Sequence, residues 1–173
     1  MLEGLFIFFA VSALVIYTHK LGHYLAGRWL VGIPAADITI VLTSLPQYVG
    51  IRDGDHWASP TAFTNYLTAY AEYDPELAHI VAFLAAGELV QTVGVVAITG
   101  VAVVADVSIV AQSVILASVM LTGYHLISDF GLNFHMGEPT GDFSALWYHS
   151  PLTALSVFLL FVIPHGILYS AFI

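Results

Sequence analysis

Long apolar runs carrying almost no charge constrain this chain more than any other feature. Leu5 to Tyr17 contains no charged side chain, and only 9% of the 173 residues are charged, where a soluble domain carries about 25%. With a mean hydropathy of +0.90, lipid is the natural solvent for most of the chain. A bilayer core is crossed by about 20 apolar residues in a helix, because helices satisfy their own backbone hydrogen bonds. The sequence predicts spans over residues 3–32, 77–104, 109–128 and 151–172 in one membrane domain. The expected fold class is a mainly α, polytopic membrane protein. Residues 1–17 lack the basic start of a signal peptide and run unbroken into residue 18, so they read as a retained half-helix.

The segments between the spans change character. In residues 37–52, Ile38, Ile40 and Leu42 alternate with Thr39, Val41 and Thr43 before Pro46 breaks the run. This period predicts a two-stranded β-ribbon. Its edge either pairs with an extended peptide or merely packs on the helices. Asp53-Gly-Asp55 reads as a turn, and Ser59-Pro60 as the start of a short interfacial helix over residues 60–73. Asp74-Pro75-Glu76 reads as the cap of the second span, and Ser150-Pro151 as that of the fourth. Residues 129–150 read as a loop rich in reactive groups: Asp129, His135, Glu138, Asp142 and His149.

Charge narrows the partners. The net charge is −9 and the basic residues number three, so nothing here neutralises a row of phosphates and nucleic acid is excluded. Membrane lipid is the expected surrounding. Acidic polar segments suit the high-salt interior of a halophile or are ordinary loop acidity. Arg28 and Arg52 place residues 33–76 and 129–150 in the cytoplasm by the positive-inside rule, in the cell membrane of a prokaryote. The chain has no cysteine, so any metal is held by His, Asp or Glu.

His19 and His23 stand four residues apart inside the first span. That spacing puts both rings on one helix face, where they can share a metal ion. Zinc proteases use it in His-Glu-x-x-His, with the Glu as general base; here that position is Lys20. With eight histidines in the chain, two satisfied helix histidines are the bland account. Glu88 and Gln91 sit inside the second span, where an ionisable group is costly and so a functional candidate; a protonated Glu88 bonded between helices is the alternative. His19, His79, His125 and His165 also permit a haem-binding membrane anchor. No Gly-x-Ser-x-Gly stretch supports a serine protease.

The run His19-Lys-Leu-Gly-His23-Tyr-Leu-Ala-Gly-Arg-Trp-Leu-Val-Gly32 resembles the first signature of the site-2 protease family of intramembrane zinc metalloproteases. Leu45-Pro-Gln-Tyr-Val-Gly-Ile51 is similar to the family's following Pro-containing strand. Ala85-Ala-Gly-Glu-Leu-Val-Gln91 resembles its Ala-Gly-Pro-x-x-Asn stretch, with Glu88 for the Pro and Gln91 for the Asn. Pro139-Thr-Gly-Asp142-Phe-Ser144 resembles its Pro-x-Leu-Asp-Gly motif, with Gly141 and Phe143 in place of Leu and Gly. The matches come in family order and cover most of the chain. The resemblance implies Zn²⁺ on His19, His23 and Asp142 with water in the fourth position, and Gln91 bonded to a substrate carbonyl or oxyanion.

Lys20 is the departure that matters, because an ammonium has no lone pair and repels a nearby dication. Three outcomes follow. Lys20 disables catalysis while the metal stays, giving a pseudoprotease that serves as a binding or structural membrane subunit for a transmembrane segment or complex. Alternatively Lys20 displaces the metal or pairs with Asp142. In the third case a substitute base (Glu138, Glu88 or His149) keeps an active intramembrane metalloprotease.

Overall fold

The computed structural model describes residues 2–172. Helix α1 (Leu2–Ala26) passes into a widened turn over Gly27–Val31, which Gly32 closes with its N–H on the Gly27 carbonyl at φ 83°. Glycine takes that left-handed conformation without steric cost. Arg28 donates to the Ile33 carbonyl there, a cation placed against carbonyls at a helix end.

Three antiparallel strands follow, β1 (Ile38–Val41), β2 (Tyr48–Asp53) and β3 (His56–Ala58), in the order β1-β2-β3. The expected two-stranded ribbon therefore gains a strand. Gly54, at φ 57°, makes the turn a two-residue hairpin that pairs Asp53 with His56. Ile38 and Ala58 both face Ile51, and these residues join Ile33, Val49, Tyr66, Tyr70 and Phe83 in one buried cluster.

Helix α2 (Phe63–Ala71) starts later than expected. The Ala62 N–H closes a turn on the Ser59 carbonyl, and the Ser59 hydroxyl pairs with Thr61 instead of capping the helix. Helix α3 (Ile80–Val104) also starts a few residues after the expected boundary. Asp74 instead holds the approach, accepting from the amides of Ala78 at 3.1 Å and His79 at 2.8 Å and from the Tyr70 hydroxyl at 3.0 Å.

The largest correction is helix α4 (Ser108–Met136). The third span was expected to end at residue 128 with a loop over 129–150, yet the helix runs on until Gly137 closes it at φ 76° on the Asn133 carbonyl. Ser118, Thr122 and Asp129 are buried on this helix, so their polarity marks an inward face and not a loop. A short helix α5 (Asp142–His149) then leads into α6 (Pro151–Phe172). Four helices, α1 with its terminal turn, α3, α4 and α6, are long and apolar enough to cross a membrane.

The crossing of α1 and α3 places the site. A Cβ at Gly22 would collide with the Ala86 carbonyl oxygen, and one at Gly94 would lie 2.8 Å from Thr18 Cγ2. Small residues permit this close approach, and in lipid, where apolar contact between helices gains little, packing of this kind drives association.

Asp74 gives a pH signature. Burial opposes its ionisation, but the amides of His79 and Ala78 and the Tyr70 hydroxyl together hold its carboxyl below the usual range. Its stabilisation is present above the unfolded value of about 3.9 and is lost as pH falls through the lower folded value. Thermal unfolding should show Asp74→Asn destabilising the protein at about pH 6 and much less at about pH 3. An equal effect at both would contradict the assignment.

Candidate metal centre

His19 and His23 leave one face of α1 toward α3, both buried. The Nδ1 of His23 lies 2.9 Å from the Phe83 carbonyl oxygen, which can only accept. The Nδ1 of His19 lies 2.9 Å from Gln91 Oε1. In both neutral rings the proton therefore sits on Nδ1, and each Nε2 presents a lone pair. These two nitrogens face each other at 3.2 Å.

Asp142 completes a triangle. Its Oδ2 lies 3.0 Å from His23 Nε2 and 3.6 Å from His19 Nε2. Zinc bonds of about 2.0–2.1 Å at the tetrahedral angle set ligand atoms about 3.3 Å apart, and all three separations cluster around that value. Three lone pairs, two of them on buried imidazoles and the third on a partly buried carboxylate, repel when they converge without a proton between them unless a cation lies among them. The donor set of two imidazoles and one carboxylate therefore fits a zinc-type ion with one position left open. His19, His23 and Asp142, predicted from the sequence, come together as a group able to hold a metal.

Asp142 is positioned from outside its own helix. It is the first residue of α5, and Gly141 before it has no side chain to cap the exposed amides. Asp129 of α4 supplies that function, its Oδ2 accepting from the Phe143 N–H at 3.1 Å. Thr140 Oγ1 donates to the Asp129 carbonyl at 3.0 Å. Any Cβ at Gly141 would overlap the Asp129 carboxylate, so the glycine allows this contact. Burial opposes ionisation of Asp142, but His23 and His19 beside it hold its carboxyl well below the usual carboxylate range. It is a carboxylate at neutral pH, as a metal ligand must be.

Gln91 is fully buried and both ends of its amide are taken. The oxygen accepts from His19, and Nε2 donates to the Ser118 hydroxyl at 2.8 Å and Thr122 Oγ1 at 3.2 Å. Glu88 is likewise buried between helices. Its Oε2 accepts from Thr122 Oγ1 at 2.9 Å, while its Oε1 lies 3.3 Å from His125 Nδ1 and 3.7 Å from His19 Nδ1. Glu88, His125 and His19 form a second grouping on the Nδ1 side of His19.

A cavity of about 150 Å³ opens beside the triangle, lined by Lys20, His23, Tyr48, Tyr66, His125 and Asp129 among others. Arg28 bonds the Ile33 carbonyl and Arg52 lies 4.2 Å over the Trp57 ring. Among the described residues the Lys20 ammonium has no hydrogen bond and no carboxylate within 4.0 Å, so it does not pair with Asp142. Of the substitute bases weighed from the sequence, Glu138 is half-buried and bonded to Thr64, His149 is exposed at the end of α5, and Glu88 is outside the cavity lining.

No family model, curated protein or solved structure matches this chain. The site is therefore read from its own geometry.

Three participants were not singled out from the sequence as parts of this centre: Asp129 as the anchor of α5, His125 beside His19, and Gly87. Ser118, Thr122, His125 and Asp129 recur at helical spacing along α4, which is the signal that links the first two. Gly87 has no such signal. A Cβ there would overlap His23 Nε2 and lie 2.7 Å from His19 Nε2, inside the space the ligands share.

Gly87→Ala should therefore lower zinc affinity at least about 100-fold by chelator competition, roughly the loss of 2.7 kcal/mol. Gly100→Ala on the same helix, where a Cβ meets nothing within 4 Å, should leave it unchanged. Equal affinity in both variants would show that the metal does not sit at this triangle.

Proposed function

We propose that the chain is a site-2-protease-like integral membrane protein that holds zinc on His19, His23 and Asp142 and binds a membrane segment without cleaving it. The observation that carries this reading is the tetrahedral spacing of the three ligand atoms beside a lysine at the general-base position. The ordered motif resemblance supports the family, and the four apolar helices support residence in a membrane. In this reading the membrane is a prokaryotic cell membrane, the placement of Arg28 and Arg52 supports a metal site facing the cytoplasm, and the charge of −9 fits a halophilic source and ordinary loop acidity equally.

The bound ion would supply Lewis acidity at its open position. In a protease, a carboxylate beside that position removes a proton from the attacking water, a contribution of about 10²–10⁴ in rate. Replacing a carboxylate by an ammonium raises the local charge by two units and exchanges an acceptor for a group with three N–H donors. Lys20 is suited to donate to a carbonyl or carboxylate oxygen of a bound segment. The sheet supports how such a segment would enter: Pro46, Tyr48 and Val49 flank the cavity, and β1 is an outer strand of the sheet, free to pair with an extended chain. Gln91 acts in this reading by orienting His19, since neither end of its amide is free to hold an oxyanion.

A second reading, active hydrolysis, draws on Asp129, a cavity-lining carboxylate with one oxygen committed to Phe143. A haem anchor finds no comparable support: the His19 and His125 rings lie 4.5 Å apart by centroid, too close to flank a macrocycle, both ring nitrogens of His165 are engaged by Ser118 and Phe161, and His79 lies beside Asp74.

Purified protein should contain about one zinc per chain, as one three-ligand site requires. Its cleavage of helical membrane substrates should not rise above that of His19→Ala. Cleavage by the native chain that His19→Ala abolishes would refute the pseudoprotease; because Asp129 also anchors α5, its loss in Asp129→Asn would then identify the base only with zinc content unchanged. A protein devoid of zinc would refute the metal centre itself.

A further inference from the structure

Four hydrogen bonds run in series through the membrane core of the molecule, and every one has a fixed direction. His165 of α6 is buried, with its Nδ1 2.8 Å from the Phe161 carbonyl oxygen. That oxygen can only accept, so the neutral ring carries its proton on Nδ1 and its Nε2 is an acceptor. The Ser118 hydroxyl, 2.8 Å away, must then donate to it. The hydroxyl oxygen is left to accept from Gln91 Nε2, at 2.8 Å. This turns the amide oxygen of Gln91 toward His19 Nδ1, at 2.9 Å, which must donate. The last link leaves His19 Nε2 bare, facing His23 and Asp142.

We propose that His165 is a positioning residue for the metal centre, fixing the His19 proton on Nδ1 through Ser118 and Gln91. The series joins α6, α4, α3 and α1, so the ligand state of a histidine on the first helix depends on the seating of the last. Each intermediate group has one alternative orientation, and the alternative reverses all those after it. With no acceptor at residue 165, the Ser118 hydroxyl is free to rotate and donate to the amide of Gln91. A Gln91 turned to present its NH₂ to His19 would move the ring proton to Nε2, where it blocks the metal. The Ser118 carbonyl at 3.3 Å and Thr122 Oγ1 at 3.2 Å from Gln91 Nε2 favour the native orientation through longer contacts. They keep the loss partial. Outer partners of ligating histidines commonly change metal affinity about 10–100-fold, and a group three bonds removed falls at the lower end.

The effect on affinity rests on the metal reading above; the effect on the His19 tautomer does not. The test uses the full chain in detergent micelles, with zinc affinity from chelator competition and histidine tautomers from ¹⁵N NMR of the metal-free protein. His165→Phe keeps an aromatic ring stacked on Phe161, now 3.9 Å from it by centroid, and removes the acceptor. His165→Gln returns an acceptor near the Nε2 position.

The native metal-free protein should show His19 protonated on Nδ1. His165→Phe and Ser118→Ala should each shift protonation toward Nε2 and weaken zinc binding about tenfold. The double variant should be no weaker than either single one, as links in one series demand. His165→Gln should restore affinity to within about threefold, a rescue that general damage to α6 packing would not give. If His165→Phe does not fold, Ser118→Ala and His165→Gln carry the same comparison. An Nε2 proton in the native protein, a His19 tautomer unmoved by the variants, or additive losses would overturn the proposal. Absence of zinc from the native protein would instead refute the metal centre, and the tautomer alone would then decide this inference.

Discussion

The close crossing of α1 and α3 is the contact on which the rest of the structure depends. In lipid, apolar side chains gain little by meeting one another, so helices associate through close packing and buried polar contacts. Gly22 admits the Ala86 carbonyl and Gly87 leaves the space that His19 and His23 fill. The same approach brings the Phe83 carbonyl and the Gln91 amide within 2.9 Å of the two Nδ1 atoms. Packing and ligand orientation are thus one feature. A side chain at Gly22 would push the helices apart, and one at Gly87 would displace both rings.

Around that crossing the polar groups separate into two sets. On the Nε2 side, Asp142, Asp129 and Lys20 face a cavity flanked by the β-sheet. On the Nδ1 side, Glu88, Gln91, Thr122, His125, Ser118 and His165 bond to one another, and of these only His125 also lines that cavity. Burying so many polar groups unpaired would be costly, which is why nearly every one has a partner. In the proposed function the inner set orients and the outer set receives. Lys20 belongs to the outer set, and in the proposed function its ammonium there holds an electron-rich group and does not activate water.

Much of this was legible in the sequence, for definite reasons. The four apolar helices follow from charge scarcity. The convergence of His19 and His23 follows from helical spacing, and the addition of Asp142 from motif order. What the sequence concealed is the length of α4. Asp129 and its polar neighbours look like a loop when read by hydropathy alone, whereas Ser118, Thr122, His125 and Asp129 form one inward stripe. The second β-hairpin was hidden because His56-Trp57-Ala58 is too short to show a period. Gly87 was illegible for a different reason: its role is the absence of a side chain at a contact between segments 64 positions apart, Gly87 and His23.

The claim that everything else serves is that His19 Nε2, His23 Nε2 and Asp142 Oδ2 share one ion. Zinc K-edge X-ray absorption on the loaded protein tests it most directly. The account predicts a four-coordinate shell of nitrogen and oxygen at about 2.0 Å with the outer scattering of two imidazoles. A shell without imidazole scattering, or one fitted by a single histidine, would contradict it.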